Sequence, residues 1–590
     1  MTGRTRHLAA ALTGLGLGLA VLGPGLAPGF VLSYDMVFVP DPAFTRLTFG
    51  LTGTVPRHVP SDAFVTALAV LAPAWLVQRL VLLSIFVMAC ASAASLVPSR
   101  RVLPRLVAGV AYAWNPFVAE RLLLGQWALL LGYAALPWAL AAAVTTDRRG
   151  GGRRLLCALI PAAIGGFAAL AVSGLAAFAA GRRRFKVLAV LAVLSLPWLV
   201  PSLLRPDGVP GDGLGVETFA ARADTPFGTL GSLLLLGGVW NGETVPLGYG
   251  APVTATLWAL VVLGALAAYT WHIRRPGVPG GTGVPGALNA SRDAAASGHA
   301  AGVSSGFWGR VAVAAGAGFG VAAVGAVVPG LLEGAISLWS GFAVFRDGQQ
   351  FAAPLAAVVA AGLGIAAEKA LRARYAAVAY GALLAPVVLL PSLAWGAAGQ
   401  LRPVEYPDDW ARARDVVAAD RAPGDVLVLP WAAYRSYAWN HGRRVLDPLP
   451  RYLSDRRVVV NDAVMVGGET VAPEDPRAVW LDAAIRSGGP LTEVLGKHGI
   501  RYVAVDAADP SAGPERLPGA ERVVRGPDLV LYRIPVTVTV AEENAPVAAT
   551  ALAWIVVSVA IFWSLSGYFV TSATTLGLPL LGSIPRRRAP

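Results

Sequence analysis

Cysteine is nearly absent from this chain of 590 residues, which contains two, Cys90 and Cys157, each inside an apolar stretch. A fold held together by disulfide bonds and a thiol-based redox activity are therefore excluded. The six histidines are scattered, and the sequence has no His-Glu-x-x-His motif or Cys/His cluster, so it offers no zinc site built by the protein. Whether a divalent cation acts as a cofactor stays unknown at this point.

Charged residues are also scarce, at 14% of the sequence, while 55% of the residues are hydrophobic and the mean hydropathy is +0.60. This composition excludes a soluble multidomain protein and indicates that apolar side chains face lipid. The net charge of +13 comes from short basic clusters between apolar runs. Such clusters are typical of cytoplasmic loops, so they indicate membrane topology and not a nucleic-acid partner.

Long apolar runs predict a polytopic membrane protein, because about 20 apolar residues cross the hydrocarbon core. They occur at 8–30, 74–97, 103–118, 126–144, 186–204, 251–272, 308–330, 350–367, 375–397 and 546–572. The stretch 155–181 is either one helix or a hairpin broken near Gly165 and Gly166. A hairpin places all the arginine clusters on one side, as the excess of positive charge in cytoplasmic loops requires. We therefore predict about 12 spans, with both termini in the cytoplasm.

A change of character after the membrane helices predicts a small α/β domain outside the cytoplasm, which makes the expected fold a predominantly α membrane bundle with one such domain. Charged and turn residues rise between 402 and 540, and the segment 407–420 has a helical pattern. Four short runs have strand character: DVLVLPW (425–431), RRVVVND (456–462), IRYVAVD (500–506) and LVLYRIP (529–535).

The chain divides into five predicted parts. They are an N-terminal bundle at 1–272 with outer loops at 31–62 and 205–250, a cytoplasmic linker at 273–307, a second group of spans at 308–397, the extracytoplasmic α/β domain at 398–545, and a C-terminal span with a basic tail at 546–590. The linker prediction rests on a Gly/Ala/Ser/Pro-rich composition without an apolar period. We expect a multi-pass protein of the plasma membrane.

Charged residues at the predicted outer ends of helices are the candidate site. Asp35 follows the first span and Asp41 lies six residues later, where a carboxylate suits a general base, or belongs to an ordinary solvated loop. Glu120 and Arg121 lie in a short outer turn, where ionisable residues indicate a function unless they only cap helices and pair with each other. Arg346 and Asp347, in AVFRDGQQF, lie at another outer entrance, where a guanidinium suits a lipid phosphate.

Aromatic and basic residues alternate in PWAAYRSYAWNHGRR of the predicted outer domain. Trp431, Arg435, Trp439 and His441 are candidate contacts for a sugar, since aromatic faces suit the C–H faces of sugars. The same aromatic residues also suit a small hydrophobic core, but the segment is too polar to be entirely interior. An exported location argues against single-stranded nucleic acid as the ligand.

The acidic first loop, the PRHVPSD segment (56–62), the NPFVAERLLLGQW and GYAALPW runs, the FRDGQQF motif and the late outer domain together resemble a known architecture. The chain is similar to GT-C-type membrane glycosyltransferases of actinobacteria, especially the arabinofuranosyltransferases of the cell wall. The resemblance implies a GT-C-like bundle, a polyprenyl-phosphate-linked sugar as donor and a cell-envelope glycan or lipid as acceptor. It also implies that Asp35 is the catalytic base and Asp41 its neighbour. Because carboxylates and arginines coincide at one predicted membrane face, we further expect Arg346 and Arg121 to neutralise the departing phosphate.

Two other functions stay open on the sequence alone. One is a transporter or flippase of a lipid-linked glycan, although no internal repeat is visible and the charges lie near the outer interface, not at the bilayer centre. The other is a scaffold without catalytic activity, whose outer domain binds glycan or partner proteins during envelope assembly. A shared pocket for Asp35, Glu120 and Arg346 distinguishes the transferase hypothesis from both.

Overall fold

Helices make up most of the described chain. The computed structural model describes residues 3–205, 214–274, 300–466, 469–471, 473, 475–508, 514–535 and 546–575. The helices are α1 (Gly3–Leu22), α2 (Ser61–Ala69), α3 (Ala74–Leu96), α4 (Val102–Ala113), α5 (Pro116–Leu123), α6 (Trp127–Val144), α7 (Gly151–Ile164), α8 (Gly166–Ala180), α9 (Arg184–Leu203), α10 (Leu214–Thr218), α11 (Gly228–Leu234), α12 (Pro252–Arg274), α13 (Ala300–Val327), α14 (Pro329–Leu338), α15 (Ala353–Arg372), α16 (Ala376–Leu389), α17 (Ala394–Gly399), α18 (Asp408–Ala419), α19 (Leu449–Tyr452), α20 (Pro476–Arg486), α21 (Thr492–Lys497) and α22 (Val547–Thr575). The predicted linker lies mostly outside the described residues, as does the basic C-terminal tail.

Eight helices in the described part of the chain are long and apolar enough to cross a membrane, and a bent pair formed by α16 and the segment Pro391–Gly399 raises this to nine. These helices fit a multi-pass membrane protein. The other three predicted spans correspond to α4, α7 and α8, which have 12, 14 and 15 residues. These helices are too short to be counted as spans by their length, so the described helices do not establish the predicted number of about 12. That count stays a prediction.

The segment 155–181 is a hairpin of two short helices, as predicted, with the break between Gly165 and Gly166. Gly166 has a φ of +77°, which a residue with a Cβ rarely adopts. The break lies beside Ala128, at the start of α6, whereas Gly151 lies beside Thr146, at its end. Both short helices therefore run along α6 in opposite directions. The start of α7 and the end of α8 lie at the same end of the bundle, beside the end of α6.

The described basic clusters gather at one end of the bundle. Arg6 donates to the Arg100 carbonyl (3.2 Å), Arg310 to the Gly181 carbonyl (3.2 Å), and Arg153 to the Ser564 carbonyl in the second half of α22 (2.9 Å). These contacts join helices that are far apart in sequence. The arrangement agrees with the predicted single-sided charge, and we refer to it as the basic end.

The opposite end carries the sheet-containing part of the chain, and we call it the domain end. Its strands are β1 (Phe30–Val31), β2 (Pro403–Val404), β3 (Asp425–Leu429), β4 (Tyr434–Ser436), β5 (Arg444–Leu446), β6 (Val458–Val459), β7 (Val464–Val466), β8 (Glu469–Val471), β9 (Ile500–Asp506), β10 (Glu521–Arg525) and β11 (Leu529–Arg533). The largest sheet has the order β10-β11-β9-β3-β6, with β3 parallel to β9 and β6. All four predicted strand runs and the helix α18 are confirmed.

The large sheet has two buried faces, because side chains alternate along its strands. Val426, Val428, Tyr502 and Ala504 belong to the apolar core that continues into the bundle. Leu427, Leu429, Val503 and Val505 face a separate core that includes residues of α20 and α21. A short pairing between β1 and β2 joins the end of the first helix to the start of this part. The loop after the first span is thus held against the sheet-containing part.

Candidate functional site

Asp35 lies where the loop after α1 meets the sheet-containing part. Its Oδ1 accepts a hydrogen bond from the Tyr434 hydroxyl (2.6 Å), and its Oδ2 accepts one from the Gln126 amide (3.3 Å). The residue is partly buried. Three stretches that are far apart in sequence, around residues 35, 126 and 434, therefore meet at this carboxylate.

Backbone contacts set the position of Asp35. Its N–H donates to the Leu124 carbonyl (3.1 Å), and the Ser33 hydroxyl donates to the Leu123 carbonyl (2.6 Å). Gly125, at φ +74°, allows this approach, since a Cβ there would overlap the Ser33 carbonyl. Tyr34, the residue before Asp35, has a φ of +43°, which is uncommon for a side chain of its size. Uncommon backbone conformations of this kind cluster at functional sites.

Arg121 connects Asp35 with the motif FRDGQQF. Its guanidinium binds Asp347 with two hydrogen bonds, Nη1 to Oδ2 at 2.6 Å and Nη2 to Oδ1 at 2.9 Å. It also donates to the side-chain oxygens of Gln126 (2.6 Å) and Gln349 (2.8 Å). The Arg121 side chain is 0% exposed and that of Asp347 20% exposed. Arg121 therefore holds Asp347 at the edge of the site, and its donors are taken up by protein groups.

Glu120 and Asp224 form a pair of carboxyl groups next to this network. Glu120 is fully buried, and its Oε2 accepts a hydrogen bond from Gln349 Nε2 (3.0 Å). Burial, followed by the neighbouring carboxylate of Asp224, raises the pKa of Glu120 well above its usual range. Two adjacent carboxyl groups share one proton more readily than they hold two negative charges. We therefore expect this pair to hold one shared proton.

Replacing Glu120 by glutamine tests this assignment, since glutamine imitates the protonated acid. Folding raises the pKa of Glu120 above its value of 4.5 in the unfolded chain. The protonated carboxyl therefore stabilises the fold fully at low pH, and this stabilisation is lost as the pH rises from 4.5 through the pKa of the folded state. We expect the wild-type melting temperature to fall over this window and Glu120→Gln to fall less steeply. Thermal unfolding in detergent from about pH 5 to about pH 8 measures the two slopes. Equal slopes would contradict the shared proton.

Burial also raises the pKa of Asp35, against the hydrogen bonds from Tyr434 and Gln126 and the charge of Arg57, which lower it. A carboxylate with a raised pKa is a stronger base than an exposed one. Arg57 belongs to the PRHVPSD segment and has an exposed side chain. The site thus combines a partly exposed base, a second partly exposed carboxylate at Asp347, and a nearby arginine.

Several predicted residues lie elsewhere. Asp41 was expected beside Asp35. Instead it forms an ion pair at the surface with Arg414 (2.6 Å), because the loop continues toward α18. Arg346 lies against Gly215 in α10, and Glu120 is fully buried, so these two residues do not line one open pocket with Asp35 as expected. The expected role of Arg121 in neutralising a phosphate does not fit its contacts, since its guanidinium is buried against Asp347, Gln126 and Gln349.

The aromatic candidates are divided between the interior and a separate cleft. Arg435 is buried in an ion pair with Asp447 (2.6 Å), and Trp439 stacks on Tyr437, so both stabilise the sheet-containing part instead of presenting a sugar-binding face. The Trp431 indole donates to Asp482 (3.0 Å), beside the second core. His441 is exposed and lines a cleft on the far side of Tyr34.

Sequence reasoning missed four members of the site: Gln126, Asp224, Gln349 and Tyr434. Each is a polar residue near an apolar run. The contacts that form the site span long sequence distances, since Asp35 is 91 residues from Gln126 and 399 residues from Tyr434. The buried glutamines are the one available signal, since an amide at a helix entrance needs partners. Among the described residues, no group of three or more His, Cys, Asp or Glu is arranged to hold a metal ion.

Comparison with known proteins adds a distant structural likeness to these observations. No protein-family model and no curated protein sequence matches the chain. Among solved structures, the archaeal oligosaccharyltransferase AglB from Archaeoglobus fulgidus, in complex with an inhibitory peptide and a dolichol-phosphate, is similar with 10% sequence identity and a TM-score of 0.39. The match covers 85% of this chain and 69% of that chain. A score this low establishes neither a family nor an activity.

Proposed function

We propose that the chain is a membrane glycosyltransferase that moves a sugar from a polyprenyl-phosphate donor to a cell-envelope glycan or lipid at the outer face of the membrane. The observation that carries the proposal is Asp35, a partly exposed carboxylate that Tyr434 and Gln126 hold at the domain end of an apolar bundle. A base at this level meets both a lipid-linked donor and a hydrophilic acceptor.

The proposed reaction is a single displacement. The acceptor hydroxyl attacks the anomeric carbon of the donor, and Asp35 takes the hydroxyl proton as the new glycosidic bond forms. The bond between the anomeric carbon and the phosphate oxygen breaks, and its electron pair leaves with the polyprenyl phosphate. Asp347, held by Arg121, lies close enough to influence the pKa of Asp35 and is a candidate to orient the acceptor.

The position of the charges favours a transferase over a transporter. Transport sites in secondary transporters lie near the bilayer midplane, between repeats. Here Asp35, Arg121 and Asp347 lie at the domain end, opposite the basic clusters. A scaffold does not require a carboxylate with a raised pKa at this position.

Reconstitution of the full chain in proteoliposomes tests the proposed function. A labelled polyprenyl-phosphate sugar is supplied with an envelope glycan acceptor, and both transferred sugar and movement of the lipid across the bilayer are measured. We expect transfer that depends on the acceptor. Lipid movement without transfer, at the same rate with and without acceptor, would support a flippase and contradict the transferase.

The pH dependence of the transfer rate is expected to follow the ionisation of Asp35. The base must be ionised, so the rate falls as the pH drops through the pKa of Asp35, which burial raises above 3.8. Tyr434→Phe removes a hydrogen bond that lowers this pKa. We expect the acidic limb of the rate profile to move to higher pH in this variant, with recovery of the rate at alkaline pH. An unshifted limb would show that Tyr434 does not position Asp35.

A further inference from the structure

A basic cleft lies beside the candidate site, on the other side of Tyr34. It has a volume of about 550 Å³ and is lined by Arg402, Arg443, Arg444 and His441, with Glu243 as its acidic residue. The cleft lies between the segment that follows α17, the hairpin of β4 and β5, and the start of the first outer loop. Its excess of positive charge favours an anionic ligand.

The arginines of the cleft have different tasks. Arg443 is held by Ser33 (2.7 Å), Gln400 (3.0 Å) and the Leu123 carbonyl (3.1 Å), so it stabilises the junction. Arg402 and Arg444 are exposed. Arg444 lies 3.7 Å from Glu243, a distance typical of a weak surface pair that a stronger anion displaces.

The location of the cleft indicates a ligand that arrives from the membrane. Gly399, in its wall, ends the left-handed turn 395–398, and the Trp395 side chain in that turn is 68% exposed. Exposed tryptophans are typical of the interface between lipid and water. Arginine side chains at such an interface suit the phosphate group of a lipid.

The cleft and Asp35 are direct neighbours. Tyr34 lines the cleft, its ring lies 6.2 Å from that of Tyr434, and the Tyr434 hydroxyl donates to Asp35. Tyr34 and Asp35 are consecutive residues, so the wall of the cleft and the proposed base lie on the same stretch of backbone.

We propose that this cleft binds the phosphate group of a polyprenyl lipid, with Arg402 and Arg444 as its ligands. This inference rests on the proposed function. Transfer of the sugar from such a donor leaves a polyprenyl phosphate monoester, whose negative charge needs a positively charged partner close to the base. Arginine suits this task, since its guanidinium binds phosphate oxygens through two hydrogen bonds.

Binding of a fluorescent polyprenyl monophosphate to the purified full chain in detergent, without acceptor, tests the inference. The double variant Arg402→Gln/Arg444→Gln is compared with Arg486→Gln/Arg533→Gln, which removes the same charge from exposed ion pairs with Asp482 and Glu521. We expect binding to weaken about tenfold or more in the first and to stay near wild type in the second. Equal affinity of wild type and both variants would overturn the site.

Competitors identify the source of the phosphate. Neutral polyprenol is expected not to displace the probe, and inorganic phosphate only weakly, which assigns the cleft to a lipid phosphate. Displacement by inorganic phosphate at the concentration of the probe would overturn the lipid assignment and leave a site for free phosphate. Arginine-dependent lipid binding by a chain that transfers no sugar would uphold the cleft and reject the transferase, so the two failures are distinguishable.

Discussion

Asp35→Asn is expected to lower the rate of sugar transfer by about 10²–10⁴-fold, the contribution of a positioned general base. Asparagine keeps the shape of the side chain and retains an oxygen for the Tyr434 hydroxyl, so the loop after α1 should stay in place. What it loses is the ability to accept a proton. Single-turnover transfer in proteoliposomes, with the enzyme in excess over the donor, measures the loss in the chemical step.

Asp41→Asn is the matched control for this variant. Asp41 lies in the same loop, but its side chain is 72% exposed and pairs with Arg414 at the surface. The rate of sugar transfer by Asp41→Asn is expected to stay near the wild-type value. Full transfer by Asp35→Asn, or an equal loss in both variants, would remove Asp35 from the mechanism.

Arg121→Met is expected to reduce the free energy of unfolding by about 3–5 kcal/mol, because removing one partner of a buried ion pair strands the other. Methionine replaces the length of the side chain without its charge. It leaves Asp347, Gln126 and Gln349 without their shared donor, and these residues come from two separate stretches, one around residue 126 and one at 347–349. Denaturant titration in mixed micelles measures the change.

Two comparisons separate this effect from a general loss of charge. Arg414→Met breaks an exposed pair and is expected to cost about 1 kcal/mol or less. The double variant Arg121→Met/Asp347→Asn removes the stranded charge and should recover part of the lost stability. Equal costs for Arg121→Met and Arg414→Met would mean that the Arg121 network is not a buried structural contact.

Local patterns predicted most of the elements. The short apolar runs in DVLVLPW and IRYVAVD are enough to define β3 and β9, which pair in parallel at the centre of the sheet. The arginine clusters predicted the break at Gly165, because only a hairpin keeps them on one side. The short helices α4, α7 and α8 were harder to count as spans, since neighbours bury them and length alone does not identify them.

The site was predicted only as separate charges. Asp35, Glu120, Arg121 and Asp347 were all candidates, but Arg121 lies 226 residues from Asp347, and sequence does not reveal which charges pair over such a distance. The same limit explains Asp41 and Arg435, whose partners Arg414 and Asp447 give them structural contacts. For polar residues without charge, such as Gln349 and Tyr434, the sequence does not show which residues are their partners.

The position of the donor sugar is the most direct test of this account. An electron cryo-microscopy structure of the full chain with a phosphonate analogue of a polyprenyl-phosphate sugar, which cannot be transferred, would locate it. We expect the anomeric carbon to lie beside the Asp35 carboxylate, with room for an acceptor oxygen at about 3–3.5 Å. A sugar bound at the basic end, or at the bilayer midplane away from Asp35, would contradict the account.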